Sequence, residues 1–144
     1  MVFAPVLDIV VWPLFLAMGL FVLCLLFPSI VIVEAIVLRL LRWGTSWRVW
    51  LDATVANLVS GLFGILLIPV GAALVSDTLS DAVIGLVAAW LLSIAIEGGT
   101  LLLIAKLRGQ EPLPVRRAWG CSVGANTASY VLLGLALLAL GTWL

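Results

Sequence analysis

The sequence predicts an all-α membrane protein, with four transmembrane helices in an up-down bundle made of two parallel-repeat helical hairpins. Three observations carry this prediction. The chain of 144 residues is 65% hydrophobic, with a mean hydropathy of +1.37, far above the roughly half-apolar composition of a soluble domain. Its apolar residues fall into four runs, each near or above the ~20 residues a helix needs to cross a bilayer. And one polar pattern occurs twice: Glu34 followed by Asn57-x-x-Ser60, then Glu97 followed by Asn126-x-x-Ser129.

The first run extends from about Trp12 to Leu41. It lacks a basic n-region, carries Asp8 instead and is longer than a signal-peptide core, so it reads as a retained helix. The second runs from about Val49 to Val75, the third from about Ala82 to Leu107 and the fourth from about Ala118 to Trp143. None shows the period-2 alternation of a membrane β-barrel strand. Pro28 and Pro69 fall inside the first and second runs, where prolines are tolerated as structural kinks. The links are short: Arg42–Arg48, Ser76–Asp81 and Arg108–Arg116. Short links force antiparallel neighbours. The whole chain, 1–144, reads as one transmembrane domain, with hairpin repeats at about 10–75 and 82–144.

All seven basic residues cluster at the first and third links: Arg39, Arg42, Arg48, Lys106, Arg108, Arg116 and Arg117. The other side holds the acids Asp8, Asp77 and Asp81. The positive-inside rule places both basic loops in the cytoplasm and both termini outside, in a multi-pass inner-membrane protein. Trp43, Trp47, Trp50 and Trp119 mark the cytoplasmic interface, Trp12 and Trp143 the opposite one, and Trp90 falls within the third run.

Position along the helices sets the depth of the polar pattern. Glu34 precedes Arg42 by eight residues and Glu97 precedes Lys106 by nine, while Asn57 and Asn126 each follow an arginine by nine. At 1.5 Å per residue all four lie roughly 12 Å inside the link ends. The repeat shift is two spans, so both copies share an orientation and a pseudo-twofold axis along the membrane normal. The prediction is an intramembrane polar layer of Glu34, Asn57, Ser60, Glu97, Asn126 and Ser129. Glu and Asn face each other within each hairpin, and two like charges brought close in a dry layer cannot both ionise cheaply. Small residues at helical spacing surround it: Gly61, Gly64 and Gly71; Gly85, Ala89, Ser93 and Thr100; Gly120 and Gly124. Such stripes are expected to turn the polar groups toward partner helices.

Intramembrane carboxylates raise two readings. One is interhelical glue, worth ~0.6–2 kcal/mol per bond; the other is a proton- or cation-conducting site. The layer sits nearer one face than the midplane, where transporter sites lie, which favours glue and a structural or assembly component within a larger membrane complex or homo-oligomer. Enzymatic chemistry finds no support. There is no histidine, no Gly-rich phosphate loop and no Ser-x-x-Lys pair. No catalytic residue, metal ligand set or cofactor is expected. Cys24 and Cys121, at different depths, read as small buried hydrophobes. The partners expected are the lipid bilayer and other membrane subunits, with no nucleic acid.

The stretch Ile32-Val33-Glu34-Ala35-Ile36-Val37-Leu38, with Ala56-Asn57-Leu58-Val59-Ser60-Gly61-Leu62-Phe63-Gly64 after it, resembles the N-terminal hairpin of cyanobacterial filament-integrity (FraC-type) proteins. They share a Glu-Ala pair before a basic loop, then an Asn-x-x-Ser helix. The resemblance covers the first hairpin and reaches the second through the internal repeat. It implies an integral membrane protein supporting cell–cell junctions at septa, with no catalytic residue.

Overall fold

A computed structural model describes residues 24–44, 47–74 and 79–141, with side chains for 24–44, 47–67 and 83–135. Four helices and no strand are present among them: α1 (24–40), α2 (Arg48–Leu74), α3 (Leu79–Leu107) and α4 (Val115–Gly141). At 27, 29 and 27 residues, α2 to α4 each extend about 40 Å. Two segments, Arg48–Leu67 and Val83–Leu107, are long and apolar enough to cross a membrane. The start of the first run, up to residue 23, and the tip of the fourth lie outside the described residues, as do Asp8, Trp12, Asp77 and Trp143.

The chain divides into two compact units, Met1–Ile30 and Val31–Leu144. In the first, residues 24–30 are helical and Ser29 Oγ donates to the Leu25 carbonyl at 3.0 Å. Within the second, α2 packs on α3 and α3 on α4. Val37 and Leu41, at the end of α1, approach Gly124 of α4 and close the bundle; a Cβ on Gly124 would lie 2.9 Å from Leu41 Cδ1.

The helices outrun several expected bounds. Leu79-Ser80-Asp81 belongs to α3, Arg48 to α2, and Val115-Arg116 to α4. Polar residues were expected to mark the links, but acids suit the first turn of a helix, and a basic residue at a helix end does not interrupt its backbone ladder. The "basic loops" are thus largely helix ends. Arg39 lies in α1, Lys106 in α3, and Arg116 and Arg117 in α4; only Arg42 and Arg108 lie in a link. Likewise α2 stays helical through Pro69.

Both hairpins end their first helix in the same way. Trp43 N donates to Leu38 O at 2.9 Å and Arg42 N to Arg39 O at 3.0 Å; Gln110 N donates to Ala105 O at 3.1 Å and Gly109 N to Lys106 O at 3.0 Å. This is the Schellman closure, whose turn residue takes a left-handed backbone. Arg42 (φ 60°) and Gly109 (φ 69°) occupy that position. Glycine does so without strain, whereas an L side chain costs about 1 kcal/mol there.

Burial repeats as the sequence pattern does. On α1 and α3 the buried sets are Val31, Glu34, Ala35 and Leu38 against Ile94, Glu97, Gly98 and Leu101. On α2 and α4 they are Val49, Asp52, Ala53, Ala56 and Asn57 against Ala118, Cys121, Ser122, Ala125 and Asn126. Each of these has its counterpart at a shift that is constant within its helix pair, the mark of an internal repeat at the level of packing, while the buried Thr100, Ala105 and Ser129 have no equally buried counterpart. Beside Val31, Leu38, Val49, Ile94 and Leu101, the core they form is made of small and polar groups, while other large apolar side chains such as Leu62, Leu66, Ile84, Leu103 and Leu135 face outward. This reverses the distribution of a water-soluble domain.

Among the described residues, burial concentrates in the polar layer and the turns beside it. Gly61 and Gly64 of α2 and Gly120 of α4 have nothing within 4 Å of a Cβ built there. No partner helix lies close to these three glycines of the small-residue stripes, because the helices make their closest approach at other residues. Gly124 is one. Gly98 is another, since a Cβ there would fall 2.7 Å from the Trp119 ring.

Candidate functional site: a crossed carboxyl–amide–hydroxyl layer

The six residues of the polar pattern converge inside the bundle. Glu34 and Glu97 are 2% and 3% exposed. Asn57 and Asn126 are buried, Ser129 is buried and Ser60 half-buried. Each asparagine serves the glutamate of its own hairpin. Asn57 Nδ2 donates to Glu34 Oε2 at 2.6 Å, and Asn126 Nδ2 to Glu97 Oε2 at 2.7 Å.

Their orientation is set locally. Each Nδ2 also donates to the carbonyl one turn back, Ala53 O at 2.9 Å and Ser122 O at 3.1 Å. Turning either amide over would oppose two oxygens, so both asparagines present donors to the carboxyls.

The serines cross over. Ser129, in the second hairpin, contacts Glu34 Oε1 at 2.8 Å, and Ser60, in the first, contacts Glu97 Oε1 at 3.0 Å. The three-residue Asn-to-Ser spacing advances each serine about 300° around its helix, roughly 60° short of a full turn. The amide therefore points to one neighbouring helix and the hydroxyl to another. Each carboxyl is tied to its own hairpin by an amide and to the other hairpin by a hydroxyl. Ser93, on α3, adds a contact to Glu97 Oε1 at 3.1 Å. The two carboxyl groups are close enough to interact directly.

The layer is shared, as the counting of residues predicts, although the hairpins are not of equal length. α1 ends six residues after Glu34, whereas α3 ends ten after Glu97. The second hairpin therefore extends about one turn, ~6 Å, farther past the layer along this helix. Arg108, at that end, reaches back to the first hairpin.

Its partner is Asp52, a residue that the sequence pattern does not single out. Asp52 is 2% exposed and lies five residues before Asn57 on α2. Arg108 Nη1 donates to Asp52 Oδ2 at 2.8 Å and Nη2 pairs with Oδ1, a two-pronged contact. Trp43 Nε1 donates to Oδ2 at 3.0 Å. Arg108, expected as one of seven loop cations, is thus a structural partner joining both links. An acid one turn inside a helix, beside basic links, is the signal that locates this clamp. The repeat lacks a second copy, since Cys121 stands where Asp52 does.

The other expected cations are exposed at the helix ends: Arg39, Arg42, Arg48, Lys106, Arg116 and Arg117. Trp47, Trp50 and Trp119 are exposed beside them, while Trp43 is half-buried. Trp90 lines a shallow apolar groove between α3 and α4, with Leu86, Val87, Thr127, Tyr130 and Val131. Both cysteines are free thiols; Cys121 is buried, but Cys24 is exposed, contrary to the expectation that both are buried. In Cys24's case a helix with an apolar outer face leaves small apolar residues outside as well as in.

Among the described residues no three His, Cys, Asp or Glu side chains gather as a metal-holding group. The glutamate oxygens face hydrogen-bond donors. Every buried side-chain nitrogen and oxygen among the described residues has a hydrogen-bond partner. Chemically, the arrangement can lock four helices in one register. Comparison of the chain with protein-family models, with curated proteins and with solved structures finds no match, so the reading of this layer rests on its own geometry.

Proposed function

We propose that this chain is a four-span inner-membrane protein with both basic links, the first and the third, in the cytoplasm and both termini outside. In this reading it is a non-enzymatic structural or assembly component of a larger membrane complex or homo-oligomer. The observation that carries the reading is the closure of the polar layer. Its buried groups are satisfied within the chain, and the surface around it presents large apolar side chains. Interhelical bonds of this kind give register and partner choice at ~0.6–2 kcal/mol each. A conduction site would instead keep polar groups open to a water path. The likeness of the first hairpin to FraC-type proteins makes a cell–cell junction one setting for such an assembly.

The test has two parts. Native gels in mild detergent should show the wild type in an assembly larger than one chain, and Asn57→Ala with Asn126→Ala should dissolve it. Proteoliposomes should show no proton or cation flux above protein-free vesicles. Flux that disappears in Glu34→Gln plus Glu97→Gln would overturn the structural reading. Topology is read by labelling a single cysteine at position 110, in a Cys24→Ser, Cys121→Ser background. Protection from an impermeant thiol reagent in intact cells is expected, and labelling there reverses the orientation.

A further inference from the structure

The serines of the layer make one contact too many for their hydrogens. Ser129 Oγ is 2.8 Å from Glu34 Oε1 and 3.0 Å from its own helix's Asn126 carbonyl. Ser60 Oγ is 3.0 Å from Glu97 Oε1 and 3.2 Å from the Asn57 carbonyl. A hydroxyl has one hydrogen to donate and two lone pairs to accept with. Were both carboxyls ionised, each serine would face two acceptors with one proton. The same defect would recur at equivalent positions of both repeats.

We propose that Glu34 and Glu97 each hold a proton on the serine-facing oxygen, Oε1, making the layer a neutral two-proton binding site. Every serine contact then has one donor and one acceptor. Glu34 Oε1–H donates to Ser129 Oγ, which donates to the Asn126 carbonyl. Glu97 Oε1–H donates to Ser60 Oγ, which donates to the Asn57 carbonyl, while Ser93 donates to a remaining lone pair of Oε1. Each Oε2 stays a carbonyl oxygen and accepts from its asparagine.

Charge points the same way. Apart from each other, the two carboxyls have only neutral hydrogen-bonding partners. Facing groups are Asn57 and Ser60 from α2, Ser93 from α3, and Asn126 and Ser129 from α4. Tyr130, on α4, is a further titratable side chain within electrostatic range of both. Arg108, which might have neutralised a carboxylate, is committed to Asp52. Two carboxylates side by side in a low dielectric with no cation between them are far costlier than two acids. The protons are taken from water as the hairpins pack, and the site binds and holds them without transferring them further.

This inference rests on the layer being interior glue of a membrane bundle, yet its test is separate from the assembly assay. The chain has three glutamates, Glu34, Glu97 and Glu111, and Glu111 is exposed in the third link. Wild-type protein carrying side-chain ¹³C-glutamate, in lipid at neutral pH, should give two carboxylic-acid resonances and one carboxylate in solid-state NMR. One acid resonance, or none, overturns the proposal, whatever the native gels show. Glu34→Gln supplies a second check, because its amide nitrogen can donate to Ser129 where the acid did. Its melting temperature should stay within a few degrees of wild type, and a collapse of the fold counts against the neutral layer.

Discussion

The crossing of the serines can be measured as a coupling energy. In the structure Glu34 is bonded to Ser129, 95 residues away, and not to Ser60 of its own hairpin. The perturbation is a double-mutant cycle of Glu34→Ala with Ser129→Ala, beside a control cycle of Glu34→Ala with Ser60→Ala. The Ser129 bond is 2.8 Å long between residues 3% and 2% exposed. A buried hydroxyl–carboxyl bond is worth about 1–2 kcal/mol net, and interhelical bonds in membranes fall at ~0.6–2. The expected coupling is therefore about 1 kcal/mol for Glu34 with Ser129. The control pair is linked only through the contact between the two carboxyls and should show a clearly smaller coupling, about 0.5 kcal/mol or less. Reversible unfolding by SDS in mixed micelles, followed by tryptophan fluorescence, gives the four stabilities of each cycle. A Glu34–Ser60 coupling as large as that of Glu34–Ser129 would refute the crossed arrangement and, with it, the interlocking of the hairpins.

Three further outcomes follow from the geometry. Arg108→Ala strands Asp52 with only Trp43 as partner. Breaking a fully buried pair costs ~3–5 kcal/mol; because the Arg108 side chain is 30% exposed, solvent screening reduces the expected loss to about 1–3 kcal/mol. In the same unfolding assay Arg116→Ala and Lys106→Ala should change stability by less than about 0.5 kcal/mol, as surface substitutions do. Gly98→Ala drives a methyl group into the Trp119 ring, at 2.7 and 2.8 Å from two ring carbons. Overpacking of this kind costs about 1–3 kcal/mol, and Trp119→Leu in the same chain should recover most of it. At the left-handed link positions the signs oppose. Arg42→Gly should stabilise by up to about 1 kcal/mol and Gly109→Ala destabilise by a similar amount, read as shifts of the thermal midpoint in detergent.

Two residues mark how far the sequence could be read. Glu97 is legible because a carboxyl in an apolar run is costly, and its repeat in Glu34 and the matching Asn-x-x-Ser motifs give depth and orientation by counting. Asp52 is as deeply buried, but it sits beside cationic links where an acid looks ordinary, and nothing in the spacing tells which of the seven basic residues takes it. Gly98 and Gly61 look alike as glycines within apolar runs, yet only Gly98 has a ring against it. Contacts of this kind depend on the rotation of each helix about its axis, which a hydrophobic pattern with no polar face to orient it leaves undetermined.

The sequence by itself determined the helical class, the four apolar runs, the duplicated pattern and the matching positions of its polar residues along the helices. All of these follow from composition, spacing and the rise of a helix, which are properties of the chain taken one segment at a time. The tertiary structure decided what the segments do to one another: the serines exchanged between hairpins, Arg108 drawn back to Asp52, and a core largely of small and polar groups. Those depend on which faces meet when four helices pack, and that is settled by the satisfaction of buried hydrogen bonds between residues as far apart in the chain as Glu34 and Ser129.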